Sequence, residues 1–529
     1  MKARVDLRFS RILQVSIAVT VLSGCVQTQG LLPAVSNSQD SGGFTFEISQ
    51  KYETLSSQGS ETFDFTIDDQ SFSVIQDQLI VKVSNPKKIE EIMTDKTLGV
   101  STVRSLDVPD DFALKSAPHG RDMLETKPVS KRNSNKELYL ISLPTTEQDD
   151  ISDLQKGAEG VGVKGRFHFK SKRSASLFNK LVKLKEKHSE GLSGFSFNYP
   201  CIESGITTEG YDSTPGYPGL WQAPNNYGFW WVGDNHPLYG FYGANVIGYD
   251  DEFWNYPSNF YPTIAVIDRG FQSADEPSIN QAVVKYWYWE YDFENGDDSF
   301  RGAQGVPGKE FHGRSVASVI FAPRNDSKGT LGLAPESQPM LLHTGADLAS
   351  RIQAIYAAVD SGANVINMSW SVNTKPSQWR WWPPGYYDPL HEAIKYAYDN
   401  NVITVSGSGN DGDGVNGPNY PAYYSETIGV GAHDHYIETT WSNTPSADIL
   451  APGSNVAAAA SPLYFTAEYF TPTSGTSIAS PLVAAVAAIS FSRGQVTSAT
   501  ALNRLIGRAY YSSATNYKSC LNAINTVKP

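Results

Sequence analysis

The chain has 529 residues, with 55 acidic and 42 basic side chains and a formal net charge of −13. This acidic balance argues against a nucleic-acid partner, because binding to phosphate needs a surplus of positive charge. The length allows roughly three or four domain-sized units with a large core.

The N-terminus is typical of an export signal. Basic residues between Lys2 and Arg11 precede an apolar run from Ile12 to Leu22, which is too short to anchor a chain across a bilayer but suits the apolar core of a secretory signal. The run ends in Leu22-Ser23-Gly24-Cys25, which resembles a bacterial lipobox. That resemblance implies cleavage before Cys25 and lipidation of its thiol, and the alternative is an ordinary signal peptide with a chance cysteine.

The lipobox resemblance also implies a cellular location for the protein. Val26 follows the cysteine instead of an aspartate, which by the Gram-negative sorting rule implies an outer-membrane lipoprotein that faces the periplasm or the exterior. We therefore expect a signal peptide over residues 1–24 and a lipidated tether over 25–70, with a short strand near Phe63 to Ile67.

Two further cysteines, Cys201 and Cys520, lie far apart in the sequence. In an oxidising compartment they could form a disulfide. Two buried thiols are an equally good interpretation, because sequence separation says nothing about the distance between two sulfur atoms.

Residues 71–205 have the pattern of a small α+β domain. Leu177, Phe178, Leu181 and Leu184 fall on one face of a helix, and lysines fall largely around the others. We interpret the basic run from Lys164 to Lys187 as the solvated face of this helix with a basic loop, in preference to a lipid-binding patch or a processing site. The other predicted elements are strands Gln78–Val83, Leu138–Leu143 and Gly194–Tyr199 and a helix over Pro86–Met93.

Residues 206–529 alternate between apolar strands and helices, which predicts a parallel sheet covered by helices on both faces. Active sites of such α/β folds gather at the carboxyl ends of the strands. The predicted helices are Ser315–Phe321, Ala349–Ser361 and Leu390–Asn400, and the predicted strands include Met340–His343, Val365–Ser369 and Val402–Ser406.

The stretch from Ser474 to Pro481, Ser-Gly-Thr-Ser-Ile-Ala-Ser-Pro, places Ser477 at the start of a buried helix. Free backbone N–H groups and the positive end of the helix dipole suit a serine that attacks a carbonyl carbon. Such a serine needs a base and an orienting acid elsewhere in the chain.

Three other stretches supply these groups in chain order. An apolar strand ends at Asp268, a helix begins at His312, and a strand leads to Asn410. Together with the Ser477 stretch they resemble the motifs of the subtilisin-like serine proteases, which keep the order Asp, His, Ser. The resemblance covers about Thr207 to the C-terminus and implies an α/β fold with a subtilisin-like parallel sheet flanked by helices.

The resemblance implies a role for each residue. Ser477 would be the nucleophile, His312 the general base and acid, and Asp268 the group that orients the imidazole. Asn410 would donate a hydrogen bond to the oxyanion. The domain over 71–205 looks like the family's propeptide, which acts as folding chaperone and intramolecular inhibitor.

The walls of the substrate pocket follow from the same resemblance. They are Ser369, Trp370 and Ser371 on one side and Gly407, Ser408 and Gly409 on the other. The chain departs from the usual family pattern at Ser371, Gly407 and Ser408, and also at Arg269, Arg314 and Ser315 around the triad. From these departures we expect a neutral, shallow pocket that takes apolar or aromatic side chains.

The sequence supports a metal site less strongly than it supports the triad. The stretch Asn325–Gly329, and Asp411, Asp413 and Asn416, carry oxygen atoms that suit calcium. The same residue types build ordinary turns, and Lys328 disfavours a cation, so we favour turns. We also take His433 and His435 as loop histidines. We therefore expect no metal site and no required cofactor, with calcium kept as a candidate structural ion.

These observations predict an exported, lipid-anchored serine endopeptidase that is made as a self-processing zymogen. Self-processing between about Tyr199 and Gly219 would release the protease from the membrane unless the propeptide stays bound. Its partners would be protein or peptide substrates, its own propeptide and a membrane. The alternative is a scaffold or binding lipoprotein that keeps the fold but has impaired catalysis.

Overall fold

A computed structural model describes fifteen segments of the chain. These are residues 43–48, 61–68, 70–108, 115–116, 137–203, 259–271, 289–294, 311–322, 332–372, 385–412, 418–434, 437–454, 456–459, 470–511 and 518–529. The predicted signal peptide and most of the predicted tether lie outside them. Within the described residues, no helix combines the length and the apolar character needed to cross a membrane.

The N-terminal α+β domain contains two four-stranded sheets and one long helix, which packs against strands of one of these sheets. The helix α3 carries the predicted apolar face, with Leu177, Phe178, Leu181 and Leu184 buried. The elements are strands β1 (Phe44–Ile48), β2 (Thr62–Ile67), β3 (Gln70–Ile75), β4 (Gln78–Val83), β5 (Thr102–Ser105), β7 (Leu138–Ser142), β8 (Gly165–Phe169) and β9 (Leu192–Phe197), and helices α1 (Lys87–Thr94), α2 (Leu154–Gly160) and α3 (Lys172–His188).

One sheet, in the order β5-β7-β4-β9, is antiparallel and contains the strands predicted from the sequence. The other sheet has the order β1-β8-β2-β3. Its strands β1 and β2 lie within residues 25–70, where the sequence predicted a tether with one short strand. They form because alternating phenylalanines such as Phe44, Phe63 and Phe65 are buried against α3 and the neighbouring strands.

The C-terminal region forms the predicted parallel sheet. Its strand order is β22-β23-β19-β17-β16-β14-β11-β13-β12-β6, and the pairs from β12 across to β23 are parallel. The strands are β11 (Thr263–Asp268), β12 (Trp289–Asp292), β13 (Gln338–His343), β14 (Val365–Met368), β16 (Ile403–Gly407), β17 (Thr427–Asp434), β19 (Ile449–Pro452), β22 (Tyr510–Tyr511) and β23 (Ser519–Cys520), with β6 (Lys115–Ser116) from the N-terminal half at the edge.

Helices cover both faces of this sheet, as predicted. One face packs against α4 (His312–Phe321), α7 (Thr476–Ser492) and α9 (Ala523–Val527), and the other face against α5 (Leu348–Asp360) and α6 (Pro389–Asp399). Helix α8 (Ala501–Gly507), strands β18 (Ile437–Glu438), β20 (Val456–Ala459) and β21 (Phe470–Thr473) and a 3-10 turn (Thr444–Ser446) complete the described elements.

The N-terminal domain shares an apolar cluster with α5 and α6. Beside this cluster the Phe195 N–H donates to the Gly385 carbonyl at 3.3 Å, and the Tyr387 N–H donates to the Phe195 carbonyl at 3.2 Å. The domain ends in β10 (Cys201–Glu203), which pairs antiparallel with β15 (Trp370–Val372). A short strand from the N-terminal half therefore lies directly beside one predicted wall of the substrate pocket.

Candidate active site

Asp268 is the last residue of β11 and its side chain is completely buried. The carboxylate atom Oδ1 accepts a hydrogen bond from His312 Nδ1 at 2.6 Å and another from the Arg269 N–H at 2.7 Å. Because a carboxylate can only accept, the shared proton must be on Nδ1 of the imidazole. The neutral ring therefore presents Nε2 as its basic atom.

The first turn of α4 fixes His312 relative to Asp268. The Gly313 and Arg314 N–H groups donate to the carbonyls of Arg269 and Gly270, at 2.6 and 3.2 Å. A Cβ atom at residue 313 would lie 2.8 Å from the Arg269 carbonyl oxygen, so this close approach requires glycine. Helix N-termini have N–H groups without partners in the helix, and here these groups clamp the loop that follows Asp268.

Arg269 and Arg314 depart from the usual family pattern without breaking this arrangement. Both side chains are buried, but the contacts that join the loop to the helix are made by their backbone atoms. The hydrogen bond between Asp268 and His312 therefore coexists with both arginines.

Ser477 lies in the first turn of α7, after Gly475, whose φ of 154° is at the limit of the region that favours glycine. The Ser477 hydroxyl donates to the Ser369 carbonyl at 3.4 Å, and the Ser369 hydroxyl donates to the Ser477 carbonyl at 2.9 Å. These reciprocal bonds hold the serine at the carboxyl end of β14. Helices α4 and α7, which carry His312 and Ser477, pack against each other in one apolar cluster.

Asn410 follows β16 and faces the same helix N-terminus. Its amide oxygen Oδ1 accepts from the Thr476 N–H at 2.9 Å. Because only oxygen can accept this bond, the amide NH₂ group of Asn410 is directed away from Thr476. Next to it, the Gly409 N–H donates to the Thr476 hydroxyl at 3.1 Å. The side chain is thus oriented as a donor beside the helix that carries Ser477.

Replacing Asn410 with alanine should lower kcat by roughly 10²- to 10³-fold, because one oxyanion donor is lost. KM should change little, since the donor acts mainly in the transition state. Peptide hydrolysis under saturating and limiting substrate separates the two constants. Asn400→Ala is a suitable control, because Asn400 caps α6 near the start of β16, whereas Asn410 follows the end of that strand. An equal loss of kcat in both variants would contradict the proposed role of Asn410.

The two predicted pocket walls lie side by side because β14 and β16 are adjacent parallel strands, with Met368 opposite Ser406. Trp370 differs from the expectation that it lines the pocket. Its ring is completely buried, donates from Nε1 to the Ile267 carbonyl at 3.0 Å and lies 4.6 Å from the Arg351 guanidinium. The Trp370 ring is therefore part of the core, and the backbone at this position pairs with Glu203 of β10.

Gly407 and Ser408 on the other wall are also buried. A Cβ atom at residue 407 would lie 3.1 Å from the Thr476 backbone, so the glycine lets β16 approach the nucleophile helix closely. Ser371 is almost buried and lies opposite Ile202 of β10. Both predicted walls consequently border the crevice mainly with backbone atoms.

Asp411, the residue after Asn410, belongs to a group of hydrogen-bonded polar residues that the sequence did not predict. Asp411 Oδ1 accepts hydrogen bonds from the side-chain amides of Asn419 at 2.9 Å and Asn443 at 3.0 Å. The sequence placed Asp411 in a turn or a calcium loop, and the contact with Asn443 joins residues 32 positions apart. No local periodicity indicates such a contact.

The structure contains Cys201 and Cys520 as two buried thiols, so no disulfide joins them. Cys520 is on β23, and three strands separate β23 from β14, the strand that leads into β15 beside Cys201. Neighbouring strands are about 4.8 Å apart, which puts the two thiols well beyond the Cα separation of about 7 Å that a disulfide can bridge.

The candidate calcium residues are only partly described. Asn325–Gly329, Asp413 and Asn416 lie outside the described residues, as does His435, whereas His433 is buried in β17. Among the side chains that the structure does describe, no three His, Cys, Asp or Glu residues form a group that could hold a metal ion.

Comparison with known proteins agrees with this geometry. The sequence model of the Subtilase family matches residues 261–520. Thermitase from Thermoactinomyces vulgaris is 30% identical over 252 residues, which are 46% of this chain and 80% of thermitase. Subtilisin DY from Bacillus licheniformis is 31% identical over 224 residues, which are 39% of this chain and 76% of that protein.

A solved structure is similar over a larger part of the chain. Fervidolysin from Fervidobacterium pennivorans, described as a keratinolytic enzyme related to subtilisin, has a TM-score of 0.53 and 16% identity over 92% of this chain and 63% of its own. At this identity the likeness concerns the fold alone. Together with the thermitase and subtilisin matches, these comparisons show that the chain belongs to the subtilase family and is a subtilisin-like serine endopeptidase.

Proposed function

We propose that this protein is an exported, lipid-anchored endopeptidase made as a zymogen, which hydrolyses peptide bonds through Asp268, His312 and Ser477. The observation that carries the proposal is the pairing of β10 with β15. Strand β15 begins directly after Ser369, whose carbonyl accepts from the Ser477 hydroxyl. A segment of the protein's own chain thus runs like a bound substrate toward the nucleophile.

In the proposed mechanism, His312 Nε2 takes the proton of Ser477 as its oxygen attacks the substrate carbonyl, and then gives that proton to the leaving amine. Asp268 holds the ring in the required tautomer and stabilises the imidazolium. The Ser477 N–H and the Asn410 NH₂ group stabilise the oxyanion. His312 then takes a proton from water as the water attacks the acyl-enzyme, and it returns this proton to the Ser477 oxygen when the acyl bond breaks.

The direction of β10 bears on where the proposed zymogen would be cut. Cys201 lies opposite Val372, Ile202 opposite Ser371 and Glu203 opposite Trp370. The strand thus runs toward Ser369, whose carbonyl accepts from the Ser477 hydroxyl. We therefore propose that self-processing cleaves the chain shortly after Glu203, and that the segment before the cut acts as an intramolecular inhibitor until then.

Intact mass of the wild type and of Ser477→Ala tests this proposal. The wild type should give a C-terminal product that begins shortly after Glu203, whereas the variant should stay whole. The same spectrum tests the anchor, because the N-terminal fragment should begin at a lipid-modified Cys25. A wild-type chain that stays whole, or that is cut equally in the variant, would contradict self-processing, and an unmodified Cys25 would contradict the anchor.

We expect the cut enzyme to remain at the outer membrane. The N-terminal domain shares an apolar cluster with α5 and α6, and exposing such a surface to water would be unfavourable by about 25 cal/mol for each Å². This domain would therefore stay bound and link the peptidase to the lipid. Its substrates would be proteins or peptides. Their hydrolysis would need no organic cofactor, and calcium would serve only as a structural ion.

A further inference from the structure

Two serines of α4, Ser315 and Ser318, bind the backbone of a single residue in strand β20. The Ser315 hydroxyl donates to the Ala459 carbonyl at 2.7 Å, and the Ala459 N–H donates to the Ser318 hydroxyl at 2.8 Å. The Ser318 hydroxyl in turn donates to the Ser315 carbonyl at 2.7 Å. Because a hydroxyl carries only one proton, these three bonds fix the direction in which each hydroxyl points. We call these two residues the serine pair.

The serine pair takes the place of a neighbouring strand beside β20. Ala459 is the last residue of this strand, which pairs antiparallel with β21. The N–H and C=O groups of one residue in an antiparallel strand point to the same side. Both groups of Ala459 bind the serine pair, so this side of the strand faces α4. The two hydroxyls supply the acceptor and the donor that another strand would otherwise supply.

The second strand of this hairpin leads directly to the candidate nucleophile. Strand β21 ends at Thr473, shortly before α7 begins and places Ser477 in its first turn. The base of the hairpin is also held, because the Gly475 N–H donates to the Gly453 carbonyl at 2.8 Å. The serine pair therefore ties α4, the helix that begins with His312, to the hairpin that leads to Ser477.

The position of the serine pair on α4 suits this link. Ser315 follows His312 by three residues, so the two side chains lie on neighbouring turns of one helix face. Ser315 is 5% exposed and Ser318 is completely buried, which means that water cannot readily replace their hydrogen bonds. The contacts with the carbonyls of residues 269 and 270 hold the start of α4 near Asp268. The serine pair adds a separate hold on the side of the nucleophile.

We propose that Ser315 and Ser318 are positioning residues, which set the placement of His312 relative to Ser477 through the hairpin. Transfer of a proton between these two side chains needs accurate placement, and a displacement of about 1 Å can cost about 10²-fold in rate. The inference rests on the proposed roles of His312 and Ser477. Ser315 is one of the departures from the usual family pattern, and its hydroxyl here binds the backbone of the hairpin.

Ser315→Ala and Ser318→Ala test the proposal in the full-length chain. Each variant should lower kcat by about tenfold, because α4 loses part of its hold on the hairpin. KM should change little, since neither serine belongs to the predicted pocket walls. Peptide hydrolysis under saturating and limiting substrate separates the two constants.

Labelling by a fluorophosphonate probe gives a readout that a purely structural role would not move. The final fraction of labelled enzyme should match the wild type, because the site remains folded and Ser477 is still present. The rate of labelling should fall by about tenfold, because attack on the probe needs the same proton transfer to His312. Ser315→Thr keeps a hydroxyl at this position and should keep both kcat and the labelling rate close to the wild-type values.

Ser492→Ala is the matched control. Like Ser318, Ser492 is a buried helix serine whose hydroxyl donates to a carbonyl three residues earlier, that of Ile489, at 2.8 Å. It lies at the opposite end of α7 from Ser477. This variant should therefore keep the labelling rate and kcat of the wild type. If Ser318→Ala does not fold because the buried Ala459 N–H has lost its acceptor, Ser315→Ala compared with Ser315→Thr decides the question.

The outcomes separate this inference from the proposed function. Unchanged labelling rates in the folded alanine variants would overturn the proposal, as would an equal loss in Ser492→Ala. A smaller labelled fraction with an unchanged rate would mean that the serine pair only stabilises the fold, which also contradicts a positioning role. A wild type that is neither labelled nor able to cleave a peptide would instead overturn the proposed function.

Discussion

Replacing Ser477 with alanine should lower peptide hydrolysis by roughly 10⁶-fold, the scale known for loss of the nucleophile in subtilisin. Labelling by a fluorophosphonate probe should disappear, because the probe forms its bond with the serine oxygen. The fold should remain intact, since the bond from the Ser477 hydroxyl to the Ser369 carbonyl is long, at 3.4 Å, and alanine favours the helix. Hydrolysis of a peptide substrate, together with probe labelling, measures both effects.

The control for this variant is Ser492→Ala. Ser492 is a buried serine at the other end of the same helix, where its hydroxyl donates to the Ile489 carbonyl at 2.8 Å. It should keep both labelling and activity. Labelling that persists in Ser477→Ala would identify another nucleophile, and a processed wild type that is not labelled would favour the scaffold alternative, which family membership does not favour.

Replacing Asp268 with asparagine should lower kcat by roughly 10⁴-fold. The Asp268 oxygen now accepts from two N–H groups, on His312 and Arg269. In the variant an amide NH₂ can face the imidazole and make Nδ1 the acceptor. The ring proton then moves to Nε2, and His312 can no longer take a proton from Ser477. Saturating kinetics should show the loss in kcat with little change in KM.

Asp292→Asn is the matched control for the Asp268 variant. Asp292 is also a buried aspartate at the end of a strand, and both residues lie opposite His343 in the register of the same sheet. Its oxygen accepts from the Glu294 N–H at 2.8 Å. We expect this variant to lose stability while its folded fraction keeps nearly normal kcat. Equal losses of kcat would mean that Asp268 acts only through the fold.

Local sequence was enough to predict the parallel sheet, whereas the candidate triad was assigned from the resemblance of four motifs to those of the subtilisin-like serine proteases. The apolar run before Asp268 and the small residues after Ser477 specify a buried strand and a buried helix by themselves, because period and composition depend on neighbours in the sequence. The predicted helices and strands around the site agree with the structure within a few residues. Glycines 313 and 475 also carry information, since each marks a backbone approach that a side chain would block or strain.

The hydrogen bonds of Asp411 and the buried position of Trp370 depended on the tertiary structure. The Asp411 contact with Asn443 and the Trp370 bond to Ile267 join residues 32 and 103 positions apart, and no local pattern encodes such a pairing. The same holds for β10 against β15, which joins residues about 170 positions apart. Sequence therefore determined the strands and the helices, because these follow from local periodicity, and its motifs named the candidate reacting groups through their resemblance to a family. Only the fold decided what lies beside them, because side-chain contacts across a sheet depend on strand order and register.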